Sequence, residues 1–182
     1  TLQLYPWNAP CKVRNIQVHG KNVDECSAGQ RVAVNLTGIK KEDRKPIKLL
    51  FFSPGGDLNV NNMLVDTIAL SETKVIGINC GMAASAACFI YLSCHERLTL
   101  PNAQFLIHQG AGSFEGTYDI VVSAITNYQK EIENLGKFVL SRTNIPENVF
   151  YENFITDWYI DANEAIKYGL CSKIITSLDE II

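Results

Sequence analysis

The chain has 182 residues, enough for one domain whose core can fold alone. Hydrophobic residues make up 47% and charged residues 19%, which excludes the disordered and fibrous classes. The formal charge of -3 leaves no basic surplus to neutralise phosphates, so a nucleic-acid role is not expected.

Thr1 to Pro10 lacks the basic and apolar regions of a secretory signal, and a cytoplasmic protein is expected. Residues 11–20 alternate in part (Val13, Ile16, Val18), which predicts a strand. Residues 24–39 are ambiguous. Val32, Val34 and Leu36 alternate as in a strand, yet Cys26, Ala28, Val32, Ala33 and Leu36 also make one helical face. The charges from Lys40 to Lys45 mark a turn. Ile47 to Phe52 is an apolar run suited to a buried strand. Ser53-Pro54-Gly55-Gly56 breaks it, and Asp57 opens a helix to about Ala69 with Met63, Leu64, Thr67 and Ile68 as its buried face.

Val75 to Cys94 carries no charge and is long enough to cross a bilayer. Its glycines, serines, alanines and Asn79 make it small rather than greasy, so no membrane span is expected. It reads as a strand over Lys74 to Asn79, a turn at Gly81 and a helix over Ser85 to Leu92. Arg97 to Leu100 and Gln104 to Ile107 are short strands, and Gly110 to Gly116 is a glycine-rich extended stretch. From Tyr118 to about Thr143 apolar residues recur at three- and four-residue steps, which predicts a long helix. Pro146 to Phe154 is a second helix. Asp161-Ala162-Asn163-Glu164 is a capping box opening a short helix that Gly169 ends, and Ile174 and Ile175 lie in a last strand. Strands alternating with helices imply an α/β fold.

The six cysteines (Cys11, Cys26, Cys80, Cys88, Cys94, Cys171) form no CxxC pair, so buried reduced thiols are expected rather than a disulfide frame. The three histidines, His19, His95 and His108, are far apart in the chain, and no metal site is expected.

Three segments can carry chemistry. In Gly81-Met82-Ala83-Ala84-Ser85-Ala86-Ala87 a serine stands between a glycine and a helix start, where amide groups favour an oxyanion. Taken alone, a serine among alanines is more often a matter of helix packing. His108 ends an apolar strand and could act as a general base or be a structurally satisfied histidine. Asp157 lies just before the capping box and could orient an imidazole or simply serve a turn. The amides of Ser53-Pro54-Gly55-Gly56, after a buried strand, can donate to an anion.

Together, SPGG at 53–56, GMAAS at 81–85, LPNAQFLIHQ at 100–109 and the D-x-x-x-D-A-x-E-A-x-x-Y-G-L run from Asp157 to Leu170 resemble the Clp protease proteolytic subunit, ClpP, in order and spacing. The resemblance covers about residues 16–175. It implies the ClpP/crotonase-like α/β fold, built of repeated β-β-α units with a protruding handle helix. It also implies a self-compartmentalising serine endopeptidase. Ser85 matches the nucleophile, His108 the base and Asp157 the orienting acid. Gly56 and Ala86 match the positions whose backbone N–H groups form the oxyanion hole. The helix from Tyr118 matches the handle that joins two rings, with Gly110 to Gly116 as the strand beside it. The implied partners are a Clp-type AAA+ ATPase, unfolded polypeptide substrates and further copies of the subunit, stacked as a tetradecamer of two heptamers. The chemistry requires no cofactor and no metal.

Two details depart from the family pattern. Ala86 stands where the family usually has Met, and the Ser-to-His loop near Cys94 to Arg97 is about two residues shorter. The N-terminal segment departs further. Cys11 to Ile39 also resembles the β-barrel second domain of SelB-type translation factors, yet no P-loop GxxxxGK[ST] occurs, so GTPase function is excluded. A single ClpP-like domain over 1–182 is expected, with 1–44 atypical: either a grafted β-hairpin or, the favoured reading, a diverged start with its first strand at Ile16 to Gly20 and its first helix at Asp24 to about Leu36. The alternatives are an enoyl-CoA hydratase-like enzyme of the same fold and a non-catalytic ring subunit.

Overall fold

The alternation of Val32, Val34 and Leu36 decides the ambiguous N-terminal segment in favour of a strand. The computed structural model describes residues 2–4, 9–18, 21–25, 32–37 and 44–181. Within the first unit, Thr1–Pro46, are β1 (Leu2–Leu4), β2 (Ala9–Val18), β3 (Lys21–Val23) and β4 (Val32–Thr37). All pair antiparallel to β2, with Val18 opposite both Lys21 and Val32. The helix expected from Asp24 to Leu36 is therefore corrected: its last five positions are strand. β-Branched residues at alternate positions suit a pleated surface, and they outweigh the accidental helical face. Residues 26–31, with Cys26, and also His19 and 40–43 of the expected charged turn lie outside the described residues.

The second unit, Ile47–Ile182, holds the candidate site. Its strands are β5 (Ile47–Ser53), β6 (Val75–Ala84), β7 (Glu96–Thr99), β8 (Gln104–Ile107), β9 (Trp158–Asp161) and β10 (Lys173–Ile174). Its helices are α1 (Leu58–Ala69), α2 (Ala86–Ser93), α3 (Tyr118–Arg142), α4 (Glu147–Phe154) and α5 (Ala162–Lys167). The strands form one sheet in the order β10-β7-β6-β8-β9, with β5 on β6. All pairs are parallel except β8 with β9.

The turn expected at Gly81 is absent, because β6 runs on through it. β6 changes partner instead. Ile76 to Asn79 pair with β7, and Met82 to Ala84 pair with β8. Fully buried Asn79 stitches the gap: its Nδ2 donates to the Gln104 carbonyl at 2.8 Å, and its Oδ1 accepts from Gly81 N–H at 3.1 Å. A side chain at Gly81 would strike the Phe52 ring, 2.7 Å from its Cβ position, which explains the glycine.

Helix α2 is buried almost throughout and is the centre of the core, with Phe89 and Tyr91 packed among Phe51, Phe105 and Leu92. The face of α1 differs from the expected one. Met63 is 61% exposed, and the inward stripe is Leu58, Asn61, Val65 and Ile68. The polar Asn61 concealed that stripe in the sequence. β9, which pattern reading did not single out, is only four residues long. The capping box at Asp161 is present, with its Oδ1 accepting from Asn163 and Glu164 N–H at 2.8 and 2.9 Å. Gly169, at φ 70, ends α5 as expected. Gly110 to Gly116 belongs to no strand. No helix among the described residues is long and apolar enough to cross a membrane.

Candidate active site

Two strand registers bring the candidate residues together. β6 runs parallel to β8 with Ala84 beside Leu106, and Ser85 N–H extends that pairing by donating to the Leu106 carbonyl at 2.9 Å. β8 runs antiparallel to β9 with Ile107 opposite Trp158. One step further along, His108 and Asp157 therefore face each other. The side chains complete the arrangement: His108 Nε2 lies 2.8 Å from Ser85 Oγ, and His108 Nδ1 lies 2.9 Å from Asp157 Oδ1.

Ser85 sits at the joint between β6 and α2 with φ 53 and ψ -126. A side chain at positive φ is strained, and the strain here lifts Oγ away from the sheet at the mouth of a helix. The turn after β5 closes against this joint. Gly55, at φ 101, has its missing Cβ position 2.7 Å from the Ala84 carbonyl and 3.0 Å from Ala86 N. Only glycine permits both that φ and that approach. Gly56 is different: nothing lies within 4 Å of its Cβ position, and it lines the cleft with Ser85 and His108. Ala86 opens α2, so its N–H is among the first-turn amides that no helix carbonyl can satisfy.

The cleft has a volume of about 170 Å³. Its far wall is Tyr128 of α3, whose hydroxyl donates to the Gln109 carbonyl at 2.9 Å and so fixes the chain just after His108. The His108 side chain is 25% exposed and Asp157 59%, so the imidazole is sheltered while the carboxylate meets solvent. Such an arrangement can pass a proton from a serine hydroxyl to an imidazole whose tautomer a carboxylate fixes.

His95 and Asp161 are engaged in structural contacts instead. His95 Nδ1 accepts from Val75 N–H at 3.0 Å. Asp161, the nearest other carboxylate in sequence, is engaged in its capping box. Cys80, Cys88, Cys94 and Cys171 are free thiols. Burial pushes Cys88 and Cys94 up to about 12 and Cys171 to about 11, against an opposing pull from Arg97. No group of three or more metal-ligating side chains occurs among the described residues.

Comparison with known proteins adds an independent finding. A family model described as Clp protease matches residues 5–178. The chain is 35% identical over 176 residues to the ATP-dependent Clp protease proteolytic subunit 2 of Pseudomonas aeruginosa, covering 93% of this chain and 85% of that protein. It is 31% identical over 172 residues to the ATP-dependent Clp protease proteolytic subunit 3 of Rhizobium meliloti, covering 93% and 87%. Among solved structures, a mutant of ClpP1 from Listeria monocytogenes superposes with a TM-score of 0.66 at 27% identity, covering 75% of this chain and 77% of that one.

Proposed function

The chain belongs to the Clp protease family, and from that premise we propose that it is a serine endopeptidase subunit working through Ser85, His108 and Asp157. Ser85 Oγ attacks the peptide carbonyl as His108 takes its proton. Asp157 holds the imidazole in the tautomer that presents a bare Nε2 to Ser85 and stabilises the charge it acquires. The N–H groups of Gly56 and Ala86 receive the developing oxyanion. His108 returns the proton to the leaving amine, and water then cleaves the acyl-enzyme. These steps need no cofactor.

The observation that carries this reading is the hydrogen-bonded chain from Ser85 through His108 to Asp157, at the wall of a cleft. The proposal extends to assembly: subunits stacked as two heptameric rings, fed unfolded polypeptides by a Clp-type AAA+ ATPase. The first half of α3 supports it, since Tyr118 is 81% exposed and Ile120 58%. The reading places the protein in the cytoplasm, where the free thiols among the described residues would stay reduced.

Ser85→Ala tests the chemistry. Hydrolysis of an unstructured fluorogenic peptide by the purified protein should fall at least about 10³-fold, with the fold and assembly kept. Hydrolysis equal to wild type would overturn the assignment.

A further inference from the structure

The pairing of β8 with β9 ends at Ile107, opposite Trp158. His108 is therefore the first residue beyond the sheet, and its ring bonds to the side chains of Ser85 and Asp157. The chain that follows has little of its own to hold it. Residues 109–116 belong to no strand or helix and include Gly110, Gly112 and Gly116. Glycine gives up more backbone freedom on ordering than any other residue. Among the described residues this stretch makes one hydrogen bond, from the Tyr128 hydroxyl to the Gln109 carbonyl at 2.9 Å.

The stretch wraps around the Tyr128 side chain. The Cβ position of Gly110 lies 3.4 Å from the hydroxyl, and that of Gly112 lies 3.8 Å from Cζ. Gly110, at φ 82, holds a conformation that favours glycine. Further on, the Phe114 ring packs edge-on against the Tyr128 ring, with centroids 5.6 Å apart. The glycines let the backbone pass close to the ring, and the ring grips the stretch at Gln109 and at Phe114. Tyr128 itself is half-buried on α3. A residue that only filled space there could be Phe or Leu. The hydroxyl sets it apart, because it is spent on a backbone carbonyl one residue past His108.

Resting on the peptidase reading, we propose that Tyr128 is a positioning residue for that reaction. Its hydroxyl fixes the chain after His108 and so keeps Nε2 in line with Ser85 Oγ. Its ring holds back the Gly110 and Ala111 segment, which lines the cleft. Displacing a reacting group by about 1 Å can cost about 10²-fold in rate, so a hydroxyl outside the triad governs the chemistry by acting through His108. The two parts of the side chain have separable effects. The hydroxyl acts on the chemical step, and the ring acts on the shape of the cleft that receives the substrate.

Tyr128→Phe keeps the ring and removes the hydroxyl, and Tyr128→Leu removes both. Each variant is assayed as the full assembled chain, for hydrolysis of an unstructured fluorogenic peptide and for the rate of fluorophosphonate labelling at Ser85. Labelling needs an activated serine but no bound peptide. Tyr128→Phe should lose about tenfold or more in kcat and a similar factor in labelling rate, with KM and particle mass kept. Tyr128→Leu should lose at least as much in kcat and raise KM as well. A role in stability alone would lower the melting temperature and leave kcat and labelling of the folded protein at wild-type level, which overturns the proposal. A raised KM in Tyr128→Phe with unchanged kcat and labelling would make Tyr128 a substrate contact and overturns it too. A loss that tracks a fall in particle mass assigns the residue to assembly and likewise overturns it. In all three cases the peptidase reading stands. A wild-type protein that neither labels nor cleaves overturns that reading, and the proposal falls with it.

Discussion

At the residue scale, Ser85 is the one non-glycine residue at positive φ among the described residues. That conformation costs roughly 1–3 kcal/mol, which any side chain must bear and glycine need not. Ser85→Gly should therefore unfold at a temperature a few degrees above Ser85→Ala, although both lack the hydroxyl. Equal melting of the two variants would show that the joint holds no strain. Asp157→Asn is the second residue-level test. An amide cannot hold the imidazole in the productive tautomer as a carboxylate does, and the rate should drop about 10⁴-fold. Binding should persist, because the amides of Gly56 and Ala86 are backbone groups. A near-normal rate would return Asp157 to the role of a turn residue. The positions of Ser85, His108 and Asp157 were legible because each stands inside a distinctive motif. The φ of Ser85 and the tie from Tyr128 to Gln109 were not, because neither a backbone angle nor a tertiary hydrogen bond leaves a mark in a single sequence.

At the element scale, the strands and helices after residue 47 were legible wherever periodicity and punctuation agreed, as in α3 and α5. β6 was misjudged at Gly81, where glycine serves the close approach of Phe52 rather than a turn. Residues 32–36 were misjudged because two periodicities fitted the same residues, and pairing with β2 broke the tie. α3 divides into two parts. Leu135 and Val139 are buried against the body, whereas Tyr118, Val122 and Ile125 share an exposed face at three- and four-residue steps. Charge introduced on the exposed part should act on assembly alone. Ile125→Glu should yield smaller particles by light scattering with an unchanged melting temperature, and an unchanged mass would contradict the role given to α3. Leu135→Glu should instead destabilise the subunit, because it buries a charge in the core. At the C-terminus, Glu180 is held down to about 2, first by Lys173 and then by the N–H groups of Thr176 and Ser177. Its value in the folded chain lies below the ordinary 4.5, so its contribution to stability is complete above that pH and is lost as pH falls towards about 2. The stability gap between wild type and Glu180→Gln should therefore close over that interval. A gap constant with pH would show that the contact has no net effect.

At the scale of the whole molecule, the boundary between the two units falls at Pro46 and Ile47, just after the segment that reads as atypical. The second unit holds every candidate catalytic group, on strand ends brought together by two registers. Buried thiols complete the expectations for it. Cys88 and Cys94, held as thiols by burial, should resist alkylation at pH 8 in the native protein and react after denaturation. Ready native labelling of either would mean that the core around α2 opens. The central claim is that Ser85 is a nucleophile activated by His108. The most direct measurement is reaction with a fluorophosphonate probe, located by peptide mass spectrometry, in wild type, Ser85→Ala and His108→Ala. The account predicts a single adduct on Ser85 in wild type, none in Ser85→Ala and a rate reduced by at least about 10³-fold in His108→Ala. Undiminished labelling of Ser85→Ala, or of Ser85 without His108, would contradict it.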